Sequence, residues 1–274
     1  MTSGQVRASS EWLGLREPAD AASRSPELVE KVRSHLPIDG RVVVHDLGCG
    51  TGSMARWLAV QLTGSQHWVL YDRDADLLAV AAANPPSQAS DGAPVTIETR
   101  SRDITRLNPA DLEGAGLVTA SALLDMMTAD ELERLVATCS WAGCPVLIAL
   151  SVTGHVDMTP TDPFDERVTH AFNAHQRRTT VAGRLLGPDA VGAAVEGFSR
   201  LGVDVLVRPS PWRLGTDQAA LAVDWFTGWF GAACEQEPDL RDADPSYERR
   251  RLAEATRGRL AVTVHHQDLL VLPR

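Results

Sequence analysis

Paired cysteines, positive charge and long apolar runs are what this 274-residue sequence has little of. Its four cysteines, Cys49, Cys139, Cys144 and Cys234, show no C-x-x-C spacing. Neither a zinc site nor a disulfide framework is indicated, and a reducing cytoplasm is the expected compartment. Lysine and arginine number 26 against 36 acidic residues, a formal net charge of -10. Such a surface repels a phosphate backbone, so nucleic acid is not an expected partner. The basic run YERRRLAEATRGR is interleaved with acids and alanines at helical spacing and reads as a solvated helix face. No window is apolar for long enough to span a bilayer, and the first residues lack the apolar core of a signal peptide, so no membrane is expected either. Internal repeats and low-complexity tracts are missing too. What remains, 44% hydrophobic and 23% charged residues, is enough to bury a substantial core in one large α/β domain.

Strand signals recur near 42–45, 68–71, 95–99, 117–120 and 146–151, separated by helical periodicity, and this alternation means a parallel sheet. A helix over 25–36 precedes the first strand, with Ser25 as N-cap and Pro26 in the first turn. Thr128 and Glu131 stand at capping-box spacing at the head of another helix. After residue 150 the pattern changes to a loop, a helix near 165–178, a helix over 187–202 and a strand at 203–207. The apolar segment 260–273 reads as the last strand. Between the last two strands, 215–258 is a helical insertion whose face of Leu221, Trp225, Phe226, Trp229 and Phe230 either covers a substrate or serves a homodimer. The expected architecture is a doubly wound, mostly parallel seven-stranded α/β sheet with helical additions at the N-terminus and between the last two strands. Residues 1–39 form a helical lid, 40–274 the ligand-binding domain, and 155–185 and 215–258 the substrate side.

The stretch VVVHDLGCGTGSMARWLA at 42–59 turns from strand to helix through three glycines on alternate positions. Bare backbone there lets a nucleotide-like ligand approach N–H groups at a helix N-terminus. The spacing departs from the pyrophosphate fingerprint, because Ser53 stands at the third place and Gly52 comes one position early. Asp46 would oppose a pyrophosphate and attract an ammonium group. Asp72 closes the next strand, where an acid accepts hydrogen bonds from a ribose diol.

The series Asp46, Gly48, Gly50, Gly52 with Asp72 after it resembles the class I S-adenosylmethionine-dependent methyltransferases, of Rossmann-like fold, over about residues 40–150. The resemblance implies that Gly48, Gly50 and Gly52, with Cys49 inside the turn, face the methionine and ribose of the cofactor. It places Asp46 near the amino acid end and Asp72, followed by Arg73, at the ribose hydroxyls. Asp103 would meet the adenine amino group and Ile104 pack on its ring, while Ser121 and Leu123 match the position that lines the methionine. S-adenosylmethionine is thus the expected cofactor, S-adenosylhomocysteine its product, and a small molecule the expected acceptor.

Methyl transfer disperses positive charge, so alignment and exclusion of water matter more than acid-base help, and a metal is not expected. Candidates for a base are Asp125 after the fourth strand, His155 in the loop after the fifth, and His175, which falls on the apolar side of its helix with Val168, Ala171 and Phe172. Asn173, Arg177 and Trp212 are candidates for holding the acceptor, and Arg16 and Arg24 for standing near the cofactor carboxylate. Strand alternation sends His265 and His266 to opposite sides, so at most one should reach a pocket. The triplet Asn84-Pro85-Pro86 resembles part of the N-P-P-aromatic motif of amino-methylating DNA enzymes, but Ser87 follows and the strand is the wrong one. A nicotinamide oxidoreductase on the same fold is disfavoured by the glycine spacing and Asp46. A non-catalytic module that binds the cofactor and acts through its helical insertion is the other alternative.

Overall fold

A computed structural model describes residues 8–37 and 40–273. The first seven residues and the 38–39 junction of the expected N-terminal lid lie outside the described residues. Two helices lead, α1 (Ser10–Ser23) and α2 (Pro26–His35), the second capped by Ser25, whose hydroxyl accepts the Leu28 N–H. Then β1 (Arg41–Leu47), α3 (Ser53–Ala59), β2 (Ser65–Asp72), α4 (Ala75–Ala83), β3 (Val95–Ser101), β4 (Leu117–Ser121), α5 (Ala129–Trp141) and β5 (Val146–Thr159) make the alternating half. Thr128 and Glu131 close a capping box on α5. The second half runs α6 (Asp165–Gln176), a small hairpin of β6 (Thr179–Thr180) and β7 (Gly183–Arg184), α7 (Ala190–Arg200), β8 (Val205–Pro209) and β9 (Trp212–Leu214). The chain closes with α8 (Ala219–Gln236), α9 (Leu240–Ala243), α10 (Tyr247–Thr256) and β10 (Ala261–Val271).

The strand order is β3-β2-β1-β4-β5-β10-β8, with β9 also paired to β10. Strands β1 to β5 are parallel, and β10 runs antiparallel to β5, β8 and β9. The seven strands expected form the path, and β9 is an eighth. Apolar side chains cover both faces: α2, α3 and α8 pack on one layer, α5 and α7 on the other, which makes the sheet doubly wound.

Two expectations are corrected. Residues 151–159 are not a loop, because β5 continues to Thr159 alongside β10, so 155–185 is part strand, part helix and part hairpin. Pairing with a strand about a hundred residues later outweighs the local turn chemistry of Gly154 and Asp157. The ribbon is irregular: residues 153–155 of β5 stand opposite the single residue His265, and 149–150 stand opposite Asp268. These are β-bulges, which re-aim side chains. Leu150, inside the second, has a left-handed φ of +55° and donates its N–H to Asp268 Oδ1 at 2.8 Å. Asp268 Oδ2 accepts the Ser25 N–H at 2.7 Å, so one buried carboxylate joins α2, β5 and β10. The second correction concerns His265 and His266: the bulge brings both, and not one, to the same cavity.

Candidate active site

The chain leaves β1 through Gly48, Cys49, Gly50, Thr51 and Gly52. Gly48 and Gly50 have φ of +69° and +54°, left-handed conformations that a side chain resists. Space is short as well, since a Cβ on Gly50 would lie 3.1 Å from Leu13 Cδ1 of α1. The Gly50 and Asp74 N–H groups donate to the two oxygens of Asp72, each at 2.9 Å. That carboxylate is therefore fixed beside the turn with lone pairs to spare. The Cys49 N–H donates to Tyr71 O at 2.9 Å, and its buried thiol is pushed far above its ordinary range by burial, which makes it a packing group. Gly52 caps α3 against Arg56 and Ala81 and does not line the cavity; nor does Arg24, expected near the cofactor carboxylate, whereas the other residues expected to meet the cofactor do.

At one end of this turn Asp46 is 1% exposed. Thr119 Oγ1 donates to its Oδ1 at 2.7 Å, while Oδ2 has no partner among the described residues. Burial pushes this carboxyl up from 3.8 to about 6. Arg24 is 3% exposed; its Nη2 donates to Ser53 Oγ and Ser121 Oγ, each at 3.2 Å, and its Nε and Nη1 have no partner. Its guanidinium carbon stands 5.1 Å from the Trp57 ring centroid. Unmet buried groups of this kind cost about 1–3 kcal/mol each; Asp46 lines the cavity, whereas Arg24 stands behind Ser53 and Ser121 and does not. At the other end Asp103 is exposed and caps a short turn, its Oδ1 accepting Thr105 N at 3.0 Å and Thr105 Oγ1 at 2.7 Å. Buried Ile104 follows it, and Arg73 stands exposed at the rim.

All of this opens into one cavity of about 940 Å³, whose far half is walled by Trp12 and Arg16 of α1, Phe172 and Asn173 of α6, Trp225 and Trp229 of α8, and Trp212 of β9. The helical insertion thus forms a wall of the cavity. Trp212 Nε1 donates to Asp20 Oδ1 at 2.9 Å, Asp20 also accepts from Arg16, and the Arg16 guanidinium lies 4.9 Å from the Trp212 centroid. Asn173 Nδ2 donates to Gly154 O at 2.7 Å. Trp229 Nε1, Asn173 Oδ1, Gln176 Oε1 and His266 Nδ1 are buried without partners among the described residues. Burial, with Arg16 nearby, lowers His266 to about 3, so it is a neutral ring.

Asp125 and His155 also line the cavity, Asp125 half-buried with its carboxyl pushed up by burial, His155 exposed. His175 and Arg177 do not. The apolar stripe of α6 packs mainly on α8, Phe172 being the part of it that reaches the cavity, and His175, one turn on, meets Glu235 Oε2 at 3.0 Å. Arg177 is held by Asp189 at 2.6 Å over a separate shallow groove. Trp12, Gln176 and Leu150 were not singled out from the sequence. Trp12, Arg16 and Asp20 recur every fourth residue, and that spacing marks the cavity face of α1.

Residues 44–142 match the family model described as a methyltransferase domain. No curated protein matches the chain. Among solved structures, a cyclopropane synthase from Mycobacterium tuberculosis superposes with a TM-score of 0.50 at 12% identity, over 96% of this chain and 94% of that one. A SAM-dependent methyltransferase from Geobacter sulfurreducens, in complex with S-adenosyl-L-homocysteine, gives 0.44 at 17% identity, over 98% and 100%. A second, from Thiobacillus denitrificans, gives 0.45 at 16%, again over 98% and 100%. The family match falls on the stretch from β1 to α5, where the glycine turn and its acids lie, so it is residues 44–142 that are similar to a methyltransferase domain.

Proposed function

We propose that this protein methylates a small molecule held in the aromatic half of the cavity. The observation that carries the reading is continuity: one cleft runs from the glycine turn to the wall of Trp12, Trp212, Trp225 and Trp229. Such a wall suits a flat or apolar acceptor, with the unpartnered Trp229 N–H, Asn173 and Gln176 oxygens to orient its polar groups.

The residues fit the cofactor. The glycine turn brings backbone to the cavity wall at Gly48 and Gly50, Asp72 offers lone pairs to a diol, and the orphaned Asp46 Oδ2 awaits an ammonium group. When bound, S-adenosylmethionine supplies an electrophilic methyl on a sulfonium. Asp46, Ser121 and Leu123 hold the amino acid end, with Arg24 behind Ser53 and Ser121 providing positive charge for a carboxylate. Asp103 and Ile104 take the adenine, and Arg73 guards the rim. Helix α1 lies over the turn through Leu13 and excludes water. Asp125, half-buried on the cavity wall with its carboxyl raised by burial, is the candidate base for a hydroxyl acceptor. Transfer of methyl from a sulfonium disperses charge and asks for no Lewis acid at the reacting carbon.

We place this enzyme in a reducing cytoplasm, in keeping with four free cysteines, and no described helix is long and apolar enough to cross a membrane. Light scattering decides between a monomer and the homodimer considered for the insertion. The test of function is calorimetry with S-adenosylhomocysteine, followed by turnover on phenols, amines, carboxylates and heterocycles. Tight cofactor binding with methylation of at least one class supports the reading; no heat with cofactor or product overturns it.

A further inference from the structure

We infer that the ribbon of β5 and β10 carries a divalent metal site at the cavity rim, formed by His155, Asp157 and His265. These three offer ligand atoms that all lie within 4.8 Å of one another. His265 Nε2 is 2.7 Å from Asp157 Oδ2, and His155 Nε2 is 3.2 Å from Asp157 Oδ1. One carboxylate thus stands between two imidazoles whose centroids are 4.6 Å apart. Two ligands about 2.1 Å from a tetrahedral ion stand about 3.4 Å apart, so small side-chain movements convert the present contacts into coordination.

The backbone builds this arrangement. His155 and Asp157 are two apart on β5 and share a face. Thr263, the register partner of Asp157, puts His265 on that face as well, because it too is two residues away. The bulge sets residues 153–155 opposite His265, and Thr153 Oγ1 donates to the His265 carbonyl at 3.0 Å. Gly154 has a φ of +76°, and a Cβ there would come within 2.8 Å of Asn173 Oδ1, so the bulge is tied to α6.

Two neutral imidazoles and one carboxylate are the donor set of zinc-type ions with an open position. His155 and His265 line the cavity and Asp157 does not, so the cluster sits where the cavity rim meets solvent. A water molecule or an oxygen or sulfur donor of the acceptor would fill the open position. The site goes beyond the proposed methyl transfer and does not depend on it.

The experiment is titration of the chelator-treated full chain with Co2+, read by visible absorption, and with Zn2+ by calorimetry. One equivalent per chain is expected. His155→Ala, Asp157→Asn and His265→Ala should each weaken binding by at least about a hundredfold, the upper range that loss of even an outer partner of a metal ligand reaches. His170→Ala, an exposed histidine outside the cluster, should leave it unchanged. Absence of saturable binding to the wild-type chain, or binding that survives loss of both histidines, overturns the inference. Circular dichroism of each variant separates a lost ligand from a lost fold.

Discussion

Replacing Asp46 by Asn tests the charge logic of the cofactor site through pH. The ligand-free carboxyl titrates at about 6 because it is buried with one oxygen unmet. An ammonium group seated against that oxygen returns it toward its ordinary 3.8, and linkage then weakens S-adenosylhomocysteine binding about tenfold between pH 7 and pH 5. His266 at about 3 and His45 at about 4 stay neutral across this window and add no slope. Calorimetry at pH 5, 6 and 7 reads the effect. Asp46→Asn should bind equally at all three, and so should the wild type with 5′-methylthioadenosine, which lacks the amino acid part. Stability moves the other way. A carboxyl raised in the folded state contributes fully below 3.8 and loses that contribution as pH rises through about 6, a cost of about 3 kcal/mol above it. Ligand-free Asp46→Asn should therefore melt higher than wild type at pH 8 and lose that advantage at pH 4. A wild-type affinity level from pH 5 to 7, or a slope that persists in the variant, refutes the placing of an amino group at Asp46.

Asp72→Asn removes a charge that two backbone N–H groups share, and should weaken S-adenosylhomocysteine binding about 10- to 100-fold with an unchanged circular dichroism spectrum. Gly50→Ala meets a left-handed φ and the Leu13 methyl together, and should cost about 1–2 kcal/mol in denaturant titrations while lowering cofactor affinity. His175→Ala breaks only a pair with the exposed Glu235; turnover and cofactor affinity should stay within about twofold and stability fall by less than about 1 kcal/mol. A large loss of turnover there would restore His175 as a base.

The parallel half was legible because its signals are local. Valines, a glycine turn and an amphipathic helix follow one another within about twenty residues in β1 and α3, and Asp72 ends β2 while Asp103 follows closely on β3. The ribbon was not legible. Residues 151–159 carry Gly, Asp and Thr in the manner of a loop, and become strand because β10 pairs with them. The same distance in sequence hid the neighbourhood of His155, Asp157 and His265, which spacing alone never joins. His175 misled for a related reason: helical periodicity gives the apolar face of α6, and whether that face meets a cavity or another helix is a tertiary fact, here settled by α8.

Asp268 couples the two ends of the chain to the front of the molecule. Because one carboxylate receives the Ser25 N–H and the Leu150 N–H, detaching α2 would strand a negative charge in apolar surroundings and release the strained bend at Leu150 at the same time. Helix α1 is tied down as well, Asp20 by the Trp212 indole of β9 and Glu17 by Arg56 of α3, so both leading helices are anchored to the layers they cover.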